Sequence, residues 1–178
     1  DLFDFDVVRI SSGIGLDVFD LDLQTQATLG AITVNERVNA IAPVPMLFLQ
    51  GEVDIGMAEI VHAANRGGKF TVIFVNNAIY GMTGGQMAPT TMPGQRTTTS
   101  PAGRDVDEVG YPMRMAELIA GLSTPSYVAR GAGHTPALTI KAKAAIRAAF
   151  TYQKEATCFT FVEVLSTCPT NWGLSPLE

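Results

Sequence analysis

Two cysteines, Cys158 and Cys168, and two histidines, His62 and His134, are all the chain has of either type. Two thiols cannot build a disulfide framework, nor can they complete a four-thiolate iron–sulfur site by themselves. A reducing, cytosolic setting fits that usage. Charge is equally scarce, at 16% of residues against a typical figure of about 25%. With 12 Lys+Arg against 17 Asp+Glu, the net charge is −5. That balance argues against nucleic acid as a main partner, because phosphate binding needs a clustered basic face. The longest apolar run, Ile41 to Leu49, is interrupted by Pro43 and Pro45 and falls short of the ~20 residues of a membrane helix. The opening Asp1-Leu-Phe-Asp-Phe-Asp6 has no basic n-region, so it does not read as a signal peptide. It also lacks an initiator Met, which suggests a fragment. No Ser/His/Asp arrangement, zinc-ligand spacing, P-loop or internal repeat is visible.

What is present is apolar. At 178 residues and roughly 150 residues per domain, one domain is expected over 1–178. Apolar residues make up 47% and mean hydropathy is +0.21, so burial against partner subunits would explain a surface short of charge. Val44 to Gln50 and Phe70 to Val75 read as strands buried on both faces. Between them, Ile55 to Asn65 has helical spacing and stops at Gly67-Gly68. Pro112 to Gly121 reads as a short helix, Ser126 to Arg130 as a strand, and Phe159 to Leu165 as the last strand. Thr135-Pro136 is an N-cap with proline at the first helical position, opening an Ala-rich helix to Tyr152. Phe3 to Ile10 reads as a strand and Gln24 to Ala42 as a helix with Ala27, Gly30, Ala31 and Val34 on one face. Alternating strands and helices predict an α/β fold, a mainly parallel sheet with helices on both faces.

Residues 76–110 form the most informative segment. No helix or strand period runs through it, and glycines recur at 81, 84, 85, 94, 103 and 110. A structureless stretch longer than ~12–15 residues is usually functional or disordered. This one starts at the carboxyl end of a buried strand, the edge where ligands bind in open α/β sheets. Gly51-Glu52-Val53-Asp54 follows another such strand. Carboxylates there, with the Asn76-Asn77 amides, make the hard-oxygen set magnesium prefers. Thr83-Gly84-Gly85-Gln86 offers unobstructed backbone N–H groups that suit phosphate. The plainer alternative is that Glu52 and Asp54 are solvated loop acids and Asn76-Asn77 a turn.

The run Phe74-Val-Asn-Asn-Ala-Ile-Tyr-Gly-Met-Thr-Gly-Gly-Gln-Met-Ala-Pro-Thr-Thr91 closely resembles the thiamine-diphosphate-binding β subunit of 2-oxoacid:ferredoxin oxidoreductases. So do Ala58-Glu-Ile-Val-His-Ala-Ala64 and Phe161-Val-Glu-Val-Leu-Ser-Thr-Cys-Pro-Thr-Asn-Trp-Gly-Leu174. The resemblance is closest to the 2-oxoglutarate and branched-chain 2-oxoacid enzymes, dense from about Phe48 to Pro176 and patchy over residues 1–43. It implies magnesium held by Glu52, the Asn77 side chain and the Ile79 carbonyl. It implies thiamine diphosphate bound along Gly51, Asp54, Asn76, Tyr80, Gly81, Met82, Thr83, Gly84, Gly85 and Gln86, with Met82 near the substrate end of the thiazolium. It further implies oxidative decarboxylation of a 2-oxoacid to acyl-coenzyme A, with electrons passed to ferredoxin. An α subunit would supply the pyrimidine side of the cofactor and a γ subunit could join it, in a cytoplasmic hetero-oligomer inactive without its partner. No catalytic side chain is assigned to this chain.

Departures from the family pattern leave alternatives open. The family has Gly-Asp-Gly-Asp where this chain has Gly51-Glu-Val-Asp54, and Val53 replaces a glycine that lets backbone approach the diphosphate. Either the longer Glu52 still reaches the metal, or Asp54 substitutes, or the site is impaired. Cys168 matches the family's late ligand of a four-iron cluster, whose other ligands would lie upstream of Asp1; Cys158 reads as an ordinary thiol. His62 and His134 read as structural or loop residues, Lys141, Lys143 and Arg147 as a solvated helix face, and Trp172 as a packing residue. The rival functions are a non-catalytic scaffold that keeps the fold, and a thiamine-dependent decarboxylase or synthase that does not use ferredoxin.

Overall fold

The computed structural model describes residues 7–10, 26–29, 32–35, 46–50, 56–156 and 158–173. Seven strands form one sheet: β1 (Val7–Ile10), β2 (Gln26–Leu29), β3 (Ile32–Asn35), β4 (Met46–Gln50), β5 (Thr71–Asn76), β8 (Tyr127–Ala132) and β9 (Thr160–Leu165). Their order across the sheet is β1-β8-β9-β5-β4-β3-β2. The central β8, β9, β5 and β4 run parallel, while β1, β3 and β2 pair antiparallel at the flanks. A mainly parallel sheet is therefore right for the centre and gives way to antiparallel pairing on both sides.

Where residues 24–42 are described, at 26–29 and 32–35, they are strands and not the expected helix. β2 and β3 form an antiparallel pair, Gln26 opposite Asn35 and Leu29 opposite Ile32. The small residues at positions 27, 30, 31 and 34 mimic a helical face, but a Gly-Ala pair between two short runs and the β-branched Ile32-Thr33-Val34 read equally as a hairpin. Those are hairpin signals that helical periodicity obscured. The strand expected over Phe3–Ile10 is described only from Val7 onward.

Helices cover both faces, as expected. α1 (Met57–Asn65) and α3 (Met115–Ala120) lie on one face, where Ile60, Ala64, Met115, Ala116 and Ile119 cluster with Val72, Phe74, Val128 and Phe161. α4 (Pro136–Ala156) lies on the other, its Ala145 and Ala149 against Tyr127, Ala129 and Val162. Strand alternation explains the division: Val72 is in register with Phe161, which is in register with Val128, and the next row is Ile73, Val162 and Ala129. Every one of these rows is apolar, as a strand covered on both sides requires. Lys141, Lys143 and Arg147 are exposed on α4, the solvated face expected of them.

Two rows toward the carboxyl edge the chemistry changes. Phe74, Glu163 and Arg130 share a row, and by strand alternation Glu163 and Arg130 point to the α3 face that carries the apolar core. β5 ends on Asn76 and β4 ends on Gln50, in register with Val75. All four parallel strands thus open onto one edge, and the long 76–110 segment rises from it.

Candidate cofactor site at the carboxyl edge of the sheet

The 76–110 segment is stitched by its own polar groups. It contains a small hairpin, β6 (Ile79–Tyr80) with β7 (Gln86–Met87), and a short helix, α2 (Val106–Val109). Asn76 anchors its start. The Asn76 Oδ1 accepts from the Ala78 N–H at 2.9 Å and from the Thr90 hydroxyl at 2.9 Å, and its Nδ2 donates to Glu163 at 2.8 Å. Ala78 has φ +59, the left-handed region an alanine rarely occupies. Its carbonyl accepts from the Thr91 hydroxyl at 2.6 Å, and that hydroxyl accepts from the Ala88 N–H at 2.8 Å. A turn forced through Ala78 therefore presents Asn77 and Ile79.

Asn77 is only 5% exposed, and its Oδ1 accepts a long 3.3 Å bond from the Ile79 N–H. An amide oxygen has two lone pairs, and among the described residues only the Ile79 N–H takes one, which leaves the other to a cation. Asn76 differs: its oxygen is already engaged twice by protein donors, so it shapes the site from the side.

The hairpin turn is a cradle that side chains would fill. Gly84 and Gly85 have φ +116 and +81. Gly85 donates its N–H to the Tyr80 carbonyl at 2.8 Å, Thr83 donates to Gln86 Oε1 at 2.9 Å, and Gln86 Nε2 donates back to the Thr83 carbonyl at 2.8 Å. A Cβ on Gly81 would meet Asn77 Nδ2 at 3.0 Å and Cys168 Sγ at 3.2 Å; one on Gly85 would collide with the Asn171 side chain at 2.2 Å. Met82 stands 78% exposed at the tip. Asn76, Asn77, Ile79, Tyr80, Gly81, Met82, Thr83, Gly84, Gly85, Gln86 and Cys168 are thus gathered at one edge. Gly51, Glu52 and Asp54 lie outside the described residues. Among the described residues no three His, Cys, Asp or Glu side chains come together as a metal group, so what they can offer a cation here is amide and carbonyl oxygen. The buried Asn77 amide oxygen and a turn without Cβ at Gly84 and Gly85 fit a magnesium diphosphate.

Sequence reasoning passed over five charged residues. Arg104, 7% exposed, donates to the carbonyls of Ala88, Pro89, Thr91, Gly110, Tyr111 and, at 3.4 Å, Val109. Burial pulls its pKa below the usual arginine value. It clamps residues 88–91 to 109–111. Glu163, 2% exposed, receives Arg130 Nε at 3.0 Å as well as Asn76. Arg130 also grips Glu117, at 2.8 Å through one nitrogen and more closely through the other, and Glu117 meets Arg114 at 2.8 Å. The hydrogen bond from Arg130 holds the Glu117 carboxyl down to about 2, against desolvation. Burial works against the Arg130 charge, but its two carboxylate partners outweigh it and keep the guanidinium above its usual pKa. The available signal was a Glu in Phe-Val-Glu-Val and an Arg in Tyr-Val-Ala-Arg: charges inside apolar strands are retained only when paired.

The two cysteines flank β9 at opposite ends, about 20 Å apart along a strand of that length, so they do not share a site. Cys158 donates to the Tyr152 carbonyl at 3.3 Å, an ordinary half-buried thiol. His62 is exposed on α1, and Trp172 is 37% exposed. No helix among the described residues is long and apolar enough to cross a membrane.

A central parallel sheet covered by helices, with a glycine-rich turn at its carboxyl edge, is the architecture of the thiamine-diphosphate-binding domains. Residues 50–164 match the family of the thiamine pyrophosphate enzyme C-terminal TPP binding domain, and the chain belongs to it. Among similar proteins is the ketoisovalerate oxidoreductase subunit VorA of Methanothermobacter marburgensis, 49% identical over 132 residues, which are 72% of this chain and 27% of that subunit. Another is the 2-oxoglutarate synthase subunit KorB of Archaeoglobus fulgidus, 38% identical over 126 residues, 71% of this chain and 43% of that subunit. The solved 2-oxoglutarate:ferredoxin oxidoreductase from Magnetococcus marinus, with 2-oxoglutarate, coenzyme A and succinyl-CoA bound, superposes with a TM-score of 0.53 at 25% identity, covering 68% of this chain and 38% of that one. The chain spans less than half the length of each of these relatives.

Proposed function

We propose that this chain is the thiamine-diphosphate-binding part of a 2-oxoacid:ferredoxin oxidoreductase, which converts a 2-oxoacid to acyl-coenzyme A and CO2. The observation that carries the reading is the Asn77 turn: a buried amide oxygen with a lone pair that no described residue takes, set beside a glycine cradle, in a chain of this family. Asn77, the Ile79 carbonyl and Glu52 hold magnesium. The Tyr80–Gln86 turn, with Gly51 and Asp54, receives the diphosphate, and Met82 faces the reacting end. The cofactor, when bound, supplies the carbon chemistry of decarboxylation; the chain orients it and excludes water.

Cys168, against Gly81, ligates an iron–sulfur cluster with thiols from outside residues 1–178, so that an electron acceptor stands beside the cofactor. An α subunit supplies the pyrimidine side, a γ subunit completes the assembly, and ferredoxin takes the electrons in the cytoplasm. The test is calorimetric titration of thiamine diphosphate into the assembled complex, with and without magnesium, for the wild type and Asn77→Ala. Magnesium-dependent binding lost in Asn77→Ala supports the site, and dye reduction with 2-oxoacid and coenzyme A supports the reaction. A stable complex that binds no cofactor favours the scaffold reading, for which the altered Gly51-Glu-Val-Asp54 is the observation. Cofactor binding with aldehyde product and no reduced dye would favour the decarboxylase.

A further inference from the structure

We infer that Glu163, gripped by Arg130, is a positioning residue for the metal-binding turn and acts on it through Asn76. The inference rests on the proposed magnesium role of Asn77. A carboxylate accepts hydrogen bonds and cannot donate them. Facing Glu163, Asn76 can present only its amide nitrogen, and the bond is made at 2.8 Å. That leaves the Asn76 oxygen on the opposite side, where it takes the Ala78 N–H and the Thr90 hydroxyl, each at 2.9 Å. The orientation of one amide is thereby dictated from behind, and it ties down the left-handed Ala78 that stands between Asn77 and Ile79.

Glu163 cannot drift, because Arg130 holds its other oxygen at 3.0 Å through Nε and 2.9 Å through a terminal nitrogen. Arg130 is fixed in turn by both oxygens of Glu117 on α3. The relay runs from the exposed Arg114 through Glu117, Arg130, Glu163 and Asn76 to the turn. A buried charge layer of this kind is costly to keep. An apolar pair would fill the row as well, so a directional role accounts for it better than stability does.

Glu163→Gln separates the two roles. The carbonyl of the new amide must face Arg130, so its NH2 faces Asn76. Asn76 then rotates and sets its own NH2 against the Ala78 N–H. In the assembled complex we expect the magnesium-dependent affinity for thiamine diphosphate to fall by about 10- to 100-fold, the usual effect of losing a ligand's supporting partner. Combining Glu163→Gln with Asn76→Asp restores an acceptor toward both the amide introduced at position 163 and the Ala78 N–H, and keeps the net charge. We expect that pair to recover to within about threefold of wild type, a residual under ~1 kcal/mol. Val72→Ala, on the same face two rows deeper, lowers the melting temperature without lowering the affinity. Thr90→Val, nearly isosteric, removes one donor to Asn76 and weakens binding less. Affinity unchanged in both Glu163→Gln and Thr90→Val, or no recovery in the double variant, overturns the inference while leaving the cofactor site intact. If Glu163→Gln does not assemble, Thr90→Val alone decides. A wild-type complex that binds no cofactor overturns the proposed function itself, and the inference with it.

Discussion

The Cys168 sulfur packs against the backbone of Gly81, so closely that a Cβ at Gly81 would sit 3.2 Å from it and 3.0 Å from Asn77 Nδ2. One glycine therefore couples the end of β9 to the proposed metal turn. Gly81→Ala should displace Asn77 or Cys168 by a few tenths of an ångström. We expect weaker magnesium-dependent cofactor binding and faster modification of Cys168 by a thiol reagent, with a loss of stability of about 1–3 kcal/mol from overpacking. Unchanged affinity and unchanged thiol reactivity would show that the contact is slack.

Gly85 answers to two constraints at once, a φ of +81 and the Asn171 side chain. Gly85→Ala should cost about 1–3 kcal/mol from backbone strain alone, and more from the collision. Adding Asn171→Ala relieves the collision and leaves the strain. Thermal denaturation of the two variants separates these parts; equal melting temperatures would mean that Asn171 moves aside freely.

Arg104 satisfies carbonyls on both sides of the long loop, and no shorter cation has the same fork. Arg104→Met leaves those carbonyls without their donor, and charged hydrogen bonds are worth roughly 1.5–3 kcal/mol each before relaxation. The expected result is a destabilisation of a few kcal/mol and rapid proteolysis within residues 88–111, with Arg104→Lys recovering only part. Protease resistance equal to wild type would assign the loop's order to its Thr and Ser hydrogen bonds instead.

Glu117 gives a pH signature. Its carboxyl is held at about 2 in the folded chain against an ordinary 4.5. A depressed acid stabilises the fold fully above its unfolded pKa and loses that contribution as pH falls toward the folded one. The melting temperature of wild type should exceed that of Glu117→Gln by a constant margin between pH 5 and 8, then converge on it from pH 4.5 downward. Because the folded value is about 2, part of the margin remains at pH 3; a margin undiminished there would mean that Arg130 does not depend on the Glu117 charge.

Much of the site was legible because it is local. Asn76-Asn77, Ile79 and the Thr83–Gln86 turn are consecutive in the chain, and glycine at 81, 84 and 85 marks where backbone must come close. The Ala-rich helix announced itself through Thr135-Pro136, and it extends to Ala156, past the expected Tyr152. The two central strands flanking α1 stand out as apolar runs because both their faces are covered. By contrast, β2 and β3 were misread as a helix, since four small residues satisfy a 3.6-residue period as readily as a hairpin does. Their pairing partner, β4, lies beyond them in sequence.

The sequence by itself determined that residues 76–86 turn at the carboxyl edge of the sheet and what chemistry they offer there, since backbone turns and strand ends are set by neighbours in the chain. Only the tertiary structure decided that Asn76 is a strut, that Arg104 closes the loop, and that Glu163 meets Arg130 on one side and Asn76 on the other. Asn76 and Glu163 stand 87 positions apart, too far for any local pattern to connect them. A buried charge declares that it needs a partner, but only packing the parallel strands in register names which one.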